Sequence, residues 1–266
     1  MKPTHKEMRP KESLTLFLRG LKLPAFVSHH EEVATMAEKN GWTFGKYLHH
    51  LCELEHRERR DRKIERLERQ SGLPREKTMG TLDLNRFPAA VKRQVPALCE
   101  GSFASRAENI LVFGLPGRGK THLCCAIAFE LIRRGLAVLF IPTYKLVQQL
   151  LIAKRELRLE KELKALDRYD VVVLDDIGYV QQERDEMEVL FTFLAERYER
   201  RSVTITSNLV FSQWDKIFKD PMTTAAAIDR LVHHSIILEL SNNSIREEEA
   251  RKRNGSKPAL EEAPTG

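Results

Sequence analysis

The amino-acid sequence predicts an α/β protein in which a parallel sheet is flanked by helices and preceded by a small all-α domain. The second half of the 266-residue chain alternates short β-favouring runs with helical segments, which is typical of a sheet covered on both faces. A glycine-rich motif stands between the first of these runs and the next helical segment. Upstream, apolar residues recur at helical spacing and predict helices over residues 14–70.

Five apolar runs are the candidate strands of the sheet. They cover residues 110–113, 137–141, 171–174, 203–206 and 236–240. Ser71-Gly72-Leu73-Pro74 ends the helical region, and a loop-rich stretch follows it. We therefore predict a helical domain over 1–70, a linker over 71–105, an α/β domain over 106–246 and a disordered tail over 247–266.

The glycine-rich motif follows the first candidate strand and opens a helix, which is the context that a phosphate-binding loop requires. Glycines let backbone N–H groups surround phosphate oxygens, and the following helix adds the positive end of its dipole. Lys120 is expected to reach the β- and γ-phosphates, and the Thr121 hydroxyl to bind Mg²⁺. The predicted nucleotide contacts are Gly114, Pro116, Gly117, Arg118, Gly119, Lys120, Thr121 and His122.

Two carboxylates, Asp175 and Asp176, follow the buried-strand pattern of residues 171–174. Open α/β sheets place their ligands at the carboxyl ends of strands, so both side chains are expected beside the phosphate loop. Asp175 is predicted to hold Mg²⁺, and Asp176 to orient or deprotonate the attacking water.

Composition and charge are those of an ordinary globular protein. The chain is 42% apolar and 31% charged, with a net charge of +6 and a pI near 9.1, which suits a polyanionic partner without requiring one. No apolar run approaches the roughly 18 residues of a membrane span, so we expect a cytoplasmic protein without membrane contacts. Cys124 and Cys125 fall in the helix after the motif and are expected to be reduced core residues.

A first basic segment lies at the end of the helical region, where arginines alternate with acids. Some of these arginines follow a glutamate by four residues, as in a solvated helix that pairs with itself. Paired arginines still present spare N–H groups, so a helix that contacts DNA phosphates is an equally good interpretation. The candidate DNA contacts are Arg57, Arg59, Arg60, Arg62, Lys63 and Arg66.

A second basic segment, with Lys154, Arg155 and Arg158, is predicted on one amphipathic helix before the strand at 171–174. Packing of the apolar face with a solvated polar face is the simpler interpretation of that helix. A DNA-contacting surface is the alternative.

The motifs together resemble the IstB/DnaC-like branch of AAA+ ATPases. The resemblance rests on residues 109–123, on Asp-Asp-Ile-Gly-Tyr at 175–179, on Ile-Thr-Ser-Asn-Leu at 205–209 and on Ile-Asp-Arg-Leu at 228–231. Residues 21–25 and 53–60 resemble the helical N-terminal domain of IstB proteins, so the likeness extends almost to Arg246. It implies a P-loop AAA+ core that binds ATP and Mg²⁺.

The resemblance also implies roles for single residues. Asn208 matches sensor 1, which positions the attacking water, and Arg230 matches the arginine finger that enters a neighbouring subunit's site. Arg246 occupies the place of a terminal Ser-x-Arg motif, although Asn replaces its usual Gly. Asp176 stands where most AAA+ proteins have Glu, which implies slow, switch-like hydrolysis.

The function implied by the resemblance is that of a transposition helper. Such a protein assembles with ATP at its subunit interfaces, binds and remodels duplex DNA with weak sequence specificity, and recruits and stimulates a cognate transposase. Loading of a replicative helicase is the alternative within the family. Outside it, a small-molecule kinase lacks a recognisable acceptor site and lid, and a DNA-binding scaffold with an inactive nucleotide site stays open.

Overall fold

The computed structural model describes residues 10–179, 184–209 and 231–240. The chain divides into two compact units, Met1–Arg66 and Leu67–Gly266. Among the described residues, no helix combines the length and apolar character needed to cross a membrane.

The first unit is built from three helices, as the sequence predicts. These are α1 (Pro10–Gly20), α2 (Pro24–Lys39) and α3 (Phe44–Ser71), the last of which continues beyond the unit's end. Pro24 occupies the first turn of α2, where its missing N–H costs no hydrogen bond. Leu18, Phe26, Val33 and Leu51 form the small buried core.

The apolar stripes of this unit are only partly buried. Phe17 is 69% exposed and Phe44 is 94% exposed, although both belong to helical patterns that predict a packed face. The pattern identifies the helices correctly but overestimates their burial, because the core of three helices holds only a few large side chains.

The second unit is built around a parallel sheet, which confirms the predicted fold class. Its strands are β1 (Asn109–Phe113), β2 (Val138–Pro142), β3 (Val171–Asp175), β4 (Ser202–Ser207) and β5 (Ser235–Glu239). All pairings are parallel and follow the order β2-β3-β4-β1-β5. The five candidate strands of the sequence are therefore all present.

Helices cover this sheet, and their apolar side chains form the main core. They are α6 (Lys120–Arg133), α7 (Thr143–Arg155), α8 (Leu159–Leu166) and α9 (Arg184–Arg197). Leu111 of β1, Leu174 of β3 and Ile205 of β4 pack in one cluster with Leu150 of α7 and Phe193 of α9. β1 and the apolar part of β3 are buried along their length, which is why these strands read as continuous apolar runs.

The stretch predicted as a loop-rich linker contains helices. α4 (Ala89–Glu100) and the short α5 (Ser102–Ser105) lie within residues 71–105, and Val91, Val95 and Leu98 of α4 are buried. α4 packs against α6. Pro88, which stands at the N-cap of α4, and Gly101, which ends α4 with a φ of 79°, are turn signals in the sequence but act here as helix boundaries.

The basic segment before β3 is also divided differently from the prediction of one helix. α7 ends at Arg155 and α8 begins at Leu159. Between them Leu157 has a φ of 56° and a side chain that is 95% exposed. The left-handed backbone at this residue ends α7, although its leucine fits the apolar periodicity.

A buried arginine organises the amino ends of β3 and β4. Arg197, at the end of α9, donates hydrogen bonds to the carbonyl oxygens of Leu166, Tyr169 and Ser202 at 3.2, 3.0 and 2.9 Å. Burial lowers the pKa of its guanidinium to about 10. Its donors satisfy carbonyl groups that would otherwise lie buried without partners at the edge opposite the candidate site.

Candidate nucleotide-binding site

The phosphate-binding motif forms a tight loop between β1 and α6. Gly117 and Gly119 have φ values of 78° and 86°. Residues other than glycine rarely adopt this backbone conformation. A Cβ on Gly114 would lie 2.9 Å from the carbonyl oxygen of Leu240, so this position also requires glycine. The glycines therefore serve the loop geometry, as the motif predicts.

Lys120 begins α6 and points back into the loop. Its side chain is 8% exposed, and Nζ donates to the carbonyl oxygens of Gly114 and Leu115 at 2.5 and 3.1 Å. These contacts place the ammonium group within the loop, where it can bind an anionic ligand.

Arg118 adds a second cation to the same loop. In the part of the chain that the structure describes, its buried Nε and Nη1 atoms have no hydrogen-bond partner. Because buried guanidinium nitrogens are normally paired, they are suited to bind an anion.

Thr121 and Asp175 meet at the carboxyl end of β3. The Thr121 hydroxyl donates to both carboxylate oxygens of Asp175, at 2.8 and 3.1 Å. Asp175 Oδ1 also accepts a hydrogen bond from the Thr206 hydroxyl at 2.8 Å. Hydroxyl and carboxylate oxygens are the ligands that Mg²⁺ prefers, so Thr121 and Asp175 fit the metal site that the sequence predicts.

Asp176 follows β3 in a left-handed conformation with a φ of 60°. Its backbone N–H donates to the Thr206 hydroxyl at 2.7 Å, which supports this uncommon backbone. Asp enters the left-handed region more readily than residues with longer side chains, because its short polar side chain is tolerated there. The backbone therefore gives a physical reason for Asp at this position.

Asn208 lies just beyond β4 and faces the turn that follows Asp176. A Cβ built on Gly178 would lie only 2.3 Å from Asn208 Oδ1. That buried oxygen has no hydrogen-bond partner among the residues described. Gly178 thus leaves room for an amide whose polar atom is available to a water or ligand.

Most of these groups, but not Gly114 or Asp175, line a cavity of about 380 Å³, which falls within the range of small-molecule sites. Of the predicted residues, Pro116, Gly117, Arg118, Gly119, Lys120, Thr121, His122, Asp176 and Asn208 line it. The cavity, its phosphate loop and the cationic side chains of Arg118 and Lys120 fit a nucleoside triphosphate. Arg230 and Arg246 lie outside the described residues.

One wall of the cavity was missed by sequence reasoning. The additional lining residues are Lys77, Thr81, Leu82, Asp83, Arg86, Phe87 and Thr206. Most of them belong to the predicted linker, where neither a motif nor apolar periodicity marks them. His122 of α6 contacts this wall. Its Nε2 is 3.2 Å from Thr81 Oγ1 and 3.3 Å from the carbonyl oxygen of Thr78.

The two cysteines of α6 are structural. Cys124 and Cys125 are both buried, and burial raises the pKa of the Cys125 thiol to about 12 and that of Cys124 well above its ordinary value. Both therefore remain protonated thiols at neutral pH.

The candidate DNA contacts on α3 divide into two groups. Arg59 donates to buried Glu55 at 2.6 Å and to the carbonyl oxygen of Lys22 at 2.5 Å, so it fastens α3 within the helical unit. Arg62 lies 3.6 Å from Glu55 and 3.9 Å from Glu58. The side chains of the remaining candidates, Arg57, Arg60, Lys63 and Arg66, are exposed.

The second basic segment also contains side chains that pair with acids and one, Arg155, that is exposed. Lys154 Nζ contacts Glu188 and Asp185 of α9 at 2.9 and 3.8 Å. Arg158 pairs with Glu156. Arg155 is exposed at the end of α7.

Comparison with known proteins shows the family of this chain. The family of IstB-like ATP-binding proteins matches residues 17–253. An insertion-sequence ATP-binding protein of Sinorhizobium fredii is 41% identical over 249 residues, which cover 92% of this chain and 84% of that protein. Another, from Geobacillus stearothermophilus, is 36% identical over 241 residues, which cover 91% and 96%.

Solved structures show the same fold at low sequence identity. DnaI aligns with a TM-score of 0.54 and 21% identity, over 64% of this chain and 95% of that chain. AMPPCP-bound DnaA from Aquifex aeolicus aligns with a TM-score of 0.54 and 18% identity, over 71% and 59%.

The parallel sheet, the phosphate loop and the acidic pair define the fold of a P-loop ATP-binding protein. Within that class, the chain belongs to the family of IstB-like ATP-binding proteins. The relatives compared above are ATP-binding proteins of insertion sequences.

Replacing Lys120 with alanine should weaken ATP binding by about 30-fold to 4,000-fold. Loss of one partner from a charged, hydrogen-bonded pair costs about 2–5 kcal/mol, and each 1.4 kcal/mol is tenfold in affinity. Titration with a fluorescent ATP analogue measures the change. Lys145→Ala, which removes an exposed lysine from α7, is the control, and wild-type affinity in Lys120→Ala would refute the assignment.

Proposed function

We propose that this protein is an ATP-dependent transposition helper. It binds ATP with Mg²⁺, assembles on duplex DNA through ATP at its subunit interfaces, remodels the DNA, and recruits and stimulates a cognate transposase. One observation carries the proposal. Lys120, Thr121, Asp175 and Asp176 lie together at one edge of the sheet, and the chain belongs to the family of IstB-like ATP-binding proteins.

The residues of the site have distinct roles in this proposal. The glycine loop and Lys120 bind the phosphates, and Arg118 supplies a second positive charge beside them. Thr121 and Asp175 are the residues that would hold Mg²⁺, which neutralises charge on the β- and γ-phosphates when bound. Asn208 orients the attacking water with its amide oxygen, and Asp176 accepts that water's proton.

Hydrolysis is proposed to be slow and suited to a switch. The Asp176 carboxylate is one methylene shorter than that of glutamate, and its backbone is held in the left-handed region. Both features restrict where the water can sit relative to the base. Slow turnover keeps the ATP-bound assembly on DNA long enough to recruit a partner.

Asp176→Asn should retain nucleotide binding and lower the hydrolysis rate by about 10²–10⁴-fold, the usual contribution of a positioned general base. Asparagine keeps the side-chain shape and the backbone preference but accepts no proton. A phosphate-release assay in saturating ATP measures the rate. Turnover at the wild-type rate would move the base elsewhere.

We propose further that Arg230 acts across a subunit interface as an arginine finger, and that Arg246 contacts the nucleotide. Arg230→Ala should bind ATP normally and lose hydrolysis, because the finger serves the neighbouring subunit's site. Mixing Arg230→Ala with Lys120→Ala subunits creates interfaces with an intact loop and an intact finger, and should restore part of the activity. Confirmed co-assembly without recovery would contradict a finger acting in trans.

The DNA surface is proposed to include Arg57, Lys63 and Arg66 of α3. Their side chains are exposed, whereas Arg59 and Arg62 are engaged with Glu55 and contribute to the fold. Duplex binding through such side chains requires no base contacts, so it is weakly sequence-specific and sensitive to salt.

Replacing Arg57, Lys63 and Arg66 together with glutamine should weaken ATP-dependent duplex binding. The slope of log affinity against log salt should become shallower by about 0.9 for each phosphate contact removed. Fluorescence anisotropy with a labelled duplex measures both quantities. Unchanged affinity and slope would place the DNA surface elsewhere, with Arg155 as the next residue to replace.

Two controls separate charge from folding in this experiment. Replacing exposed Arg93, Arg134 and Lys161 with glutamine removes the same charge elsewhere and should leave the salt slope unchanged. Arg59→Gln should lower the free energy of unfolding by about 1–3 kcal/mol, since buried Glu55 loses its closest partner. If the wild-type protein with ATP binds no duplex even at low salt, the helper proposal fails and helicase loading becomes the better one.

A further inference from the structure

The hydroxyl of Thr206 joins the two acidic residues at the end of β3. Thr206 is fully buried in β4, beside β3 in the sheet. Its Oγ1 lies 2.8 Å from Asp175 Oδ1 and 2.7 Å from the backbone nitrogen of Asp176. Sequence reasoning assigned no role to this residue.

The directions of these two hydrogen bonds follow from the groups involved. The Asp176 N–H can only donate, so the threonine oxygen accepts that bond. The Asp175 carboxylate can only accept when ionised, so the threonine hydroxyl donates its single proton to Oδ1. One buried hydroxyl thereby sets the orientation of the Asp175 carboxylate and supports the left-handed backbone of Asp176.

The same strand connects this hydroxyl to the third polar group of the site. Asn208 follows Thr206 by two residues, and its Oδ1 packs against the turn at Gly178. A shift of β4 relative to β3 would therefore move the Asp175 carboxylate, the Asp176 backbone and the Asn208 amide together.

We propose that Thr206 is a positioning residue that couples the metal ligand Asp175 to the catalytic base Asp176. This inference rests on the proposed function of the site. Thr206 lines the cavity, and in this role it acts by fixing the residue that would hold the metal and the residue that accepts the proton of the attacking water. Hydrogen-bond partners behind a metal ligand typically contribute 10–100-fold to metal affinity or activity.

The experiment compares Thr206→Val with Thr206→Ser and Thr204→Val. Valine matches threonine in shape but lacks the hydroxyl, and serine keeps the hydroxyl. Thr204 is 4% exposed on the same face of β4 and pairs with Val173 rather than with the acidic residues, so it is the matched control. Mn²⁺ binding to the protein with a non-hydrolysable ATP analogue is measured by electron paramagnetic resonance, and ATP hydrolysis is measured separately.

Thr206→Val should bind Mn²⁺ about 10–100-fold more weakly and hydrolyse ATP at least tenfold more slowly, with metal-free nucleotide affinity within about twofold of wild type. Thr206→Ser should recover both properties to within about threefold, and Thr204→Val should retain them. Mn²⁺ affinity within twofold of wild type in Thr206→Val would overturn the proposal, as would an equal loss in Thr204→Val. If Thr206→Val does not fold, Thr206→Ala serves the same comparison.

This design separates the two proposals. Absence of hydrolysis in the wild-type protein would refute the proposed ATPase function but would leave the Mn²⁺ comparison valid. Normal hydrolysis in the wild type with unchanged Mn²⁺ affinity in Thr206→Val would refute only the role of Thr206.

Discussion

The parallel pairing of β4 with both β3 and β1 is the constraint on which the site depends. In this strand order the phosphate loop after β1, the acidic pair at the end of β3 and the polar end of β4 share one edge of the sheet. Because the strands are parallel, each following segment begins at that edge. The apolar core beneath this edge keeps the strand ends in register. At the opposite edge of the sheet, Arg197 donates hydrogen bonds to backbone carbonyl groups.

The polar groups at this edge form a connected set. Thr121 and Thr206 both donate to Asp175, and the Thr206 hydroxyl also accepts the Asp176 N–H. Such a set favours one arrangement of its members, because breaking any of these bonds removes a partner from a part-buried polar group. The left-handed backbone of Asp176 belongs to this arrangement and favours a short acidic side chain over a longer one.

The basic residues of the helical unit fall into two physical groups. Arg59 compensates buried Glu55 and caps the carbonyl oxygen of Lys22, so its charge belongs to the fold. Arg57 and Lys63 are exposed on the same helix. A basic sequence therefore predicts a DNA surface only after the arginines that pair with buried acids have been set aside. That separation requires knowing that Glu55 is buried, which the alternating charge pattern does not show.

The sequence by itself determined the parallel sheet, its five strands and the phosphate loop, because strands buried in a layered sheet leave continuous apolar runs and a tight loop requires glycine. Tertiary structure alone decided the burial of α1 and α3, the break between α7 and α8 at Leu157, the cavity wall near Thr81 and the contacts of Thr206. Most of these features arise from contacts between residues far apart in the chain, such as Asp175 and Thr206, which stand 31 positions apart. Local periodicity and motif spacing carry no information about such contacts, since they are created only when the strands pair.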